Sequence, residues 1–114
     1  MPKFLLVYRD PGTAPPPSPE EMQQVMTHWN AWIDKFRTSG HMIDPGDALH
    51  PIGQVVRAGG VVTDGPFAEA KEILGGYSVI QAKTLEEAVA VAKECPAATV
   101  HGSSVEVREL AGYA

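Results

Sequence analysis

Apolar residues recur along this chain at two periods. Near the N-terminus, Phe4, Leu6 and Tyr8 alternate with Leu5 and Val7, so a strand here carries apolar side chains on both faces. The pattern stops at Pro11 to Pro19, where five prolines and one glycine make a segment that cannot join a ladder. The period then lengthens. Met22, Val25, Met26, Trp29, Trp32, Ile33 and Phe36 form one stripe at helical spacing. Ser18-Pro19-Glu20-Glu21 reads as its capping box, with proline at the first helical position, and Gly40 after Ser39 as its end. A second helix follows Thr84-Leu85-Glu86-Glu87, with Leu85, Ala88, Val89, Ala92 and Cys95 on its stripe and Pro96 as its stop.

Between the helices the pattern is that of strands. His41 to Leu49 predicts an irregular strand bent at Pro45-Gly46. Gln54 to Ala58 and Val61 to Thr63 flank Gly59-Gly60, which predicts a hairpin with a two-residue turn. Asp64-Gly65-Pro66-Phe67 is expected to break the strand, with one helical turn over Ala68 to Lys71. Tyr77 to Ala82 predicts a strand with a bulge or close approach at Gly75-Gly76. In the last strand Val105 and Val107 alternate with Glu106 and Arg108.

Strand, helix, strand with a hairpin, strand, helix, strand is the split βαβ order of a ferredoxin-like α+β domain, here one domain over residues 1–114. Two helices cover one face of an antiparallel four-stranded sheet. The second apolar face of the first strand then predicts a homodimer packed sheet to sheet.

Composition narrows the function classes. The net charge is -5 and the nine Lys and Arg are scattered, which gives nucleic acid no basic patch to meet. The apolar run Phe4 to Tyr8 is too short to span a bilayer, and no basic-then-apolar leader precedes it. One cysteine excludes an internal disulfide framework and suits a reducing compartment, so a cytoplasmic protein is expected.

Several residues are candidates for chemistry. Asp64 can cap the turn that follows it, with Gly65 supplying an unusual φ, or it can face a pocket as a base or ligand-orienting group. His28 borders the apolar stripe one helical turn from Trp32, as a half-exposed amphipathic residue or as a general acid or base. His41, Asp44, Asp47 and His50 match no metal-ligand spacing and read as solvated loop residues, so no metal is expected. Cys95 reads as a small buried thiol. Gly59-Gly60 and Gly75-Gly76 lack the flanking residues of a nucleotide loop, and no cofactor is expected.

The run Val62-Thr63-Asp64-Gly65-Pro66-Phe67-Ala68-Glu69-Ala70-Lys71-Glu72, followed by Leu74-Gly75-Gly76-Tyr77, is specific. It resembles the DGPF-type branch of the YCII-related proteins. The tryptophan-bearing helix, Val56-Arg57 and the Val105 to Arg108 ending extend the likeness over nearly the whole chain. The resemblance implies a dimeric α+β barrel with a cleft beside the sheet. It also implies one of two functions. The first is a cofactor-independent enzyme performing acid/base chemistry on a small aromatic or carbonyl-bearing molecule. His28 and Asp64 are then catalytic, Arg57 positions the substrate, and Trp32 and Phe67 line the cleft. The second is a non-catalytic small-molecule-binding or regulatory accessory protein linked to an extracytoplasmic-function sigma factor. The His–Asp pair of some YCII-related enzymes takes its aspartate from before a proline after the second helix, and here Cys95 holds that place before Pro96.

Overall fold

The computed structural model describes residues 1–11, 17–65, 73–99 and 103–113. Four strands form the main antiparallel sheet. They are β1 (Lys3–Asp10), β2 (Met42–Ala48), β5 (Ile73–Gln81) and β6 (Ser104–Glu109), in the order β2-β5-β1-β6. The helices α1 (Pro19–Thr38), α2 (Leu85–Lys93) and the short α3 (Pro96–Thr99) cover one face. β3 (Gly53–Val56) and β4 (Val62–Gly65) make a separate two-stranded sheet. This is the expected ferredoxin-like arrangement with an extra hairpin.

Both helices start where their caps predict. Ser18 Oγ accepts from Glu21 N–H at 3.1 Å and Thr84 Oγ1 accepts from Glu87 N–H at 3.1 Å. The Glu87 carboxylate also reaches back, taking the Lys83 N–H at 2.8 Å and His41 Nε2 at 2.8 Å. His41 Nδ1 lies 2.7 Å from Ser39 Oγ, so one imidazole joins the end of α1 to the start of α2.

The core lies between the helices and the sheet. Phe4 and Leu6 of β1 and Ile80 of β5 are fully buried, against Trp32 and Phe36 of α1 and Val91 of α2. Alternation does the rest, since Leu5 and Val7 point to the opposite face and stay half-buried. The Trp32 indole N–H donates to the Val91 carbonyl at 3.0 Å and locks α1 to α2.

Four local expectations are corrected. The hairpin loop holds three residues rather than two, because Arg57 N–H bonds the Val61 carbonyl at 2.7 Å and Gly60 N–H closes a turn onto the Arg57 carbonyl at 3.0 Å. The break expected at Asp64-Gly65-Pro66-Phe67 does not begin at its first two residues, since Asp64 and Gly65 pair with Gln54 and Gly53 inside β4, and Pro66 and Phe67 lie outside the described residues. Gly65 has no positive φ. A Cβ there would lie 2.8 Å from Val55 Cγ2, so glycine serves close strand contact instead. Finally, Cys95 is fully buried but sits between α2 and α3, because Pro96 opens a new short helix rather than ending the helical layer. The expected turn at Ala68 to Lys71 lies outside the described residues.

Candidate functional site

The stripe on α1 is longer than the core it faces. Its C-terminal part is buried at Trp32 and Phe36, whereas Met22 is 45% and Met26 50% exposed. Beneath this uncovered half is a cavity of about 580 Å³. Met22, Val25, Met26, Trp29 and Ile33 form its helical wall, and Tyr8 and Asp10 of β1 lie among the residues facing them. Residues 45–48 of β2, residues 75–77 of β5, Ala97 of α3 and Ser103 also border it.

Two irregularities of the sheet shape this end of the fold. In β2 the register with β5 shifts between Met42 and Asp44 and again between Asp44 and Asp47, so the strand bends at Pro45-Gly46 as its sequence predicts. Gly46 has φ +68°, and a Cβ there would fall 1.8 Å from the Tyr77 carbonyl oxygen, so no other residue fits this backbone. The bend frees the Pro45 carbonyl, which accepts from Ser78 Oγ at 2.7 Å. In the β1–β5 pair, Tyr8 opposes Gly76 and Arg9 opposes Leu74, which leaves Gly75 as the extra residue of a bulge. A Cβ on Gly75 would lie 2.7 Å from Asp10 Oδ2, so the bare backbone makes room for that carboxylate.

The described polar groups bordering the cavity include Tyr8, Asp10, Asn30, Asp47 and Ser103. The Tyr8 hydroxyl donates to Ser78 Oγ at 2.7 Å, and burial pushes its pKa well above the ordinary tyrosine range. Asp10 Oδ1 accepts from Ser103 Oγ at 2.9 Å. Arg9, one residue earlier and so on the opposite face of β1, donates to Glu106 Oε1 from Nη2 at 3.2 Å. Trp29 meets Tyr8 edge to face, with ring centroids 4.9 Å apart.

Of the residues singled out from the sequence, those that the structure describes lie elsewhere. His28 is exposed on α1 and borders a shallow groove formed with Glu20, Gln23, Gln24 and Thr27 of the same helix. Asp64 is exposed on β4, opposite Gln54. No described hydrogen bond or ion pair joins His28 to Asp64, and neither lines the cavity. Trp32 is a core residue, 4% exposed, and Trp29 stands at the cavity instead. Arg57 is exposed at the hairpin loop, where it takes part in an interaction. Phe67 lies outside the described residues. Burial pushes the Cys95 thiol up from its ordinary pKa, as for an inert core cysteine. Among the described residues, no group of three His, Cys, Asp or Glu is placed to hold a metal ion. No described helix is long and apolar enough to cross a membrane.

Asp10, Met22 and Met26 were not singled out from the sequence as site residues. For Met22 and Met26 the sequence signal is the length of the α1 stripe, and for Asp10 it is alternation along β1 with Phe4, Leu6 and Tyr8.

Two likenesses to known proteins bear on this site. Residues 1–111 match the profile of the YCII-related domain. An uncharacterized protein of Rhizobium meliloti (strain 1021) is 33% identical to the chain, in an alignment covering 96% of this chain and 91% of that protein.

Proposed function

We propose that this chain, which belongs to the YCII-related family, binds a small and largely apolar molecule in the cavity between α1 and the sheet. One observation carries the reading. Among the described residues, the N-terminal half of an apolar helical stripe has no protein partner covering it, over a cavity of about 580 Å³. That volume suits a metabolite-sized ligand, and an apolar wall with a few polar groups is the usual make-up of such sites. Apolar surface left facing water is unfavourable, so a ligand that covers Met22, Met26 and Trp29 gains affinity from burial.

The binding reading is preferred to the enzymatic one because His28 and Asp64 stand apart from the cavity. It agrees with the accessory role that the likeness to DGPF-type proteins implies, and we extend the proposal to membership of that branch and to a cytoplasmic setting. The proposal also includes a homodimer. On the open face of the sheet Leu5, Val7 and Val79 are half-buried and Tyr77 is 37% exposed, an apolar surface that a second copy would cover. Sedimentation of the purified chain as a monomer at micromolar concentration would remove the dimer and leave the cavity reading standing.

The cavity is tested with the neutral fluorophore N-phenylnaphthylamine. Its emission should rise and saturate at one probe per chain. Met26→Trp, at a half-exposed position that tolerates bulk, should fill the mouth and abolish the response without lowering the unfolding temperature. Equal uptake by Met26→Trp and the parent chain would mean that the probe binds elsewhere, and the reading would fall.

A further inference from the structure

We propose that the cavity is selective for ligands carrying a positively charged nitrogen, held at its mouth by the carboxylate of Asp10. The inference rests on the reading of the cavity as a ligand site and names the class of ligand.

Alternation along β1 places Asp10 on the same face as Phe4, Leu6 and Tyr8, the face turned toward the helices. Its two oxygens are used differently. Oδ1 accepts from Ser103 Oγ at 2.9 Å, which fixes the orientation of the group. Oδ2 has no hydrogen-bond partner among the described residues and lies over Gly75, where the missing Cβ leaves the space it occupies. A carboxylate oriented by one oxygen and open at the other is a directed acceptor beside an apolar cavity.

Among the described residues, the charges nearby leave this acceptor uncompensated. Among the described residues lining the cavity Arg9 is the only cationic one, and its side chain lies on the opposite face of β1, where Glu106 Oε1 holds the guanidinium at 3.2 Å. Asp47, also a lining residue, pairs across the sheet with Tyr77 and has its Oδ1 engaged by the Ala48 N–H at 2.7 Å, and the chain as a whole carries -5. An anionic ligand would therefore meet repulsion and a cationic one attraction. The indole of Trp29, which meets Tyr8 edge to face, is among the lining residues, and aromatic rings attract cations. The methionine and valine side chains of α1 then contact the apolar body of the same molecule.

The test uses three probes sharing one ring system, namely naphthylmethylamine, naphthalenemethanol and naphthoate, titrated calorimetrically near neutral pH. The amine should bind at least about tenfold more tightly than the alcohol, and the naphthoate most weakly. Asp10→Asn should bring the amine to the affinity of the alcohol and leave the alcohol unchanged. Met26→Trp should abolish binding of both. If the alcohol binds, is lost in Met26→Trp and shows the same affinity as the amine, the charge selectivity is wrong and the cavity reading survives. If the amine keeps its advantage in Asp10→Asn, the assignment to Asp10 is wrong. If none of the three binds, the cavity is not a ligand site and both readings fail.

Discussion

Tyr8 and Ser78 are 70 residues apart in sequence, yet the Tyr8 hydroxyl donates to Ser78 Oγ at 2.7 Å, and Ser78 in turn donates to the Pro45 carbonyl at 2.7 Å. The relay satisfies the carbonyl that the β2 bend removes from the ladder, and does so with a fully buried serine. Ser78→Ala strands both the Tyr8 hydroxyl and the Pro45 carbonyl, and should cost roughly 2–4 kcal/mol. Tyr8→Phe leaves the Ser78–Pro45 bond intact and should cost about 1 kcal/mol. Urea unfolding of the two variants checks the ranking, and the reverse order would show that the phenol matters for more than this bond.

The bridge between His41 and Glu87 makes stability depend on pH at the acid end. Hydrogen bonds from His41 and then from the Lys83 N–H hold the Glu87 carboxyl below its ordinary value of 4.5. A carboxyl depressed in the folded state stabilises the fold fully above its unfolded pKa, and that contribution fades as pH falls through the ordinary value toward the lower folded one. Thermal unfolding followed from neutral pH downward should show this loss beginning near pH 4.5. In Glu87→Gln the same acid limb should be shallower, and an unchanged limb would assign the acid sensitivity to other carboxylates.

Gly40 and Gly46 separate conformational strain from steric exclusion. Both have positive φ, +83° and +68°. Gly40 has open space where a Cβ would go, so Gly40→Ala should cost only the left-handed penalty of about 1–2 kcal/mol. At Gly46 the added carbon would lie 1.8 Å from the Tyr77 carbonyl oxygen, and the β2–β5 pairing would have to part. Gly46→Ala should therefore lower stability by more than about 3 kcal/mol. Chemical denaturation of both variants measures the gap, and equal losses would refute the steric account.

His28 and Asp64 are both exposed and outside the cavity lining. His28→Ala and Asp64→Asn should each leave N-phenylnaphthylamine affinity within about twofold and stability within about 0.5 kcal/mol. A loss of affinity of about tenfold in either variant would return that residue to the site.

Much of the architecture could be read from local signals. The caps at Ser18 and Thr84, the bend at Pro45-Gly46 and the bulge at Gly75-Gly76 each depend on a few neighbouring residues, and backbone geometry leaves them few alternatives. The Asp64-Gly65 segment misled because a turn-forming dipeptide yielded to strand pairing with Gln54 and Gly53, a partner choice made 10 or 12 residues away. The site was less legible. Period alone shows that Met22, Met26 and Trp29 are apolar, but says nothing of whether protein or ligand covers them.

Sequence by itself therefore determined the two long helices, the main strands, their order and the two-sided first strand, because these follow from periodicity and from hydrogen bonds closed within a few residues. Tertiary structure alone decided that the α1 stripe outruns the core, that Asp10 stands at the cavity while His28 does not, and that His41 meets Glu87. Each is a contact, or a missing one, between segments far apart in the chain. Their approach is set by how the whole sheet twists, bulges and buries its faces.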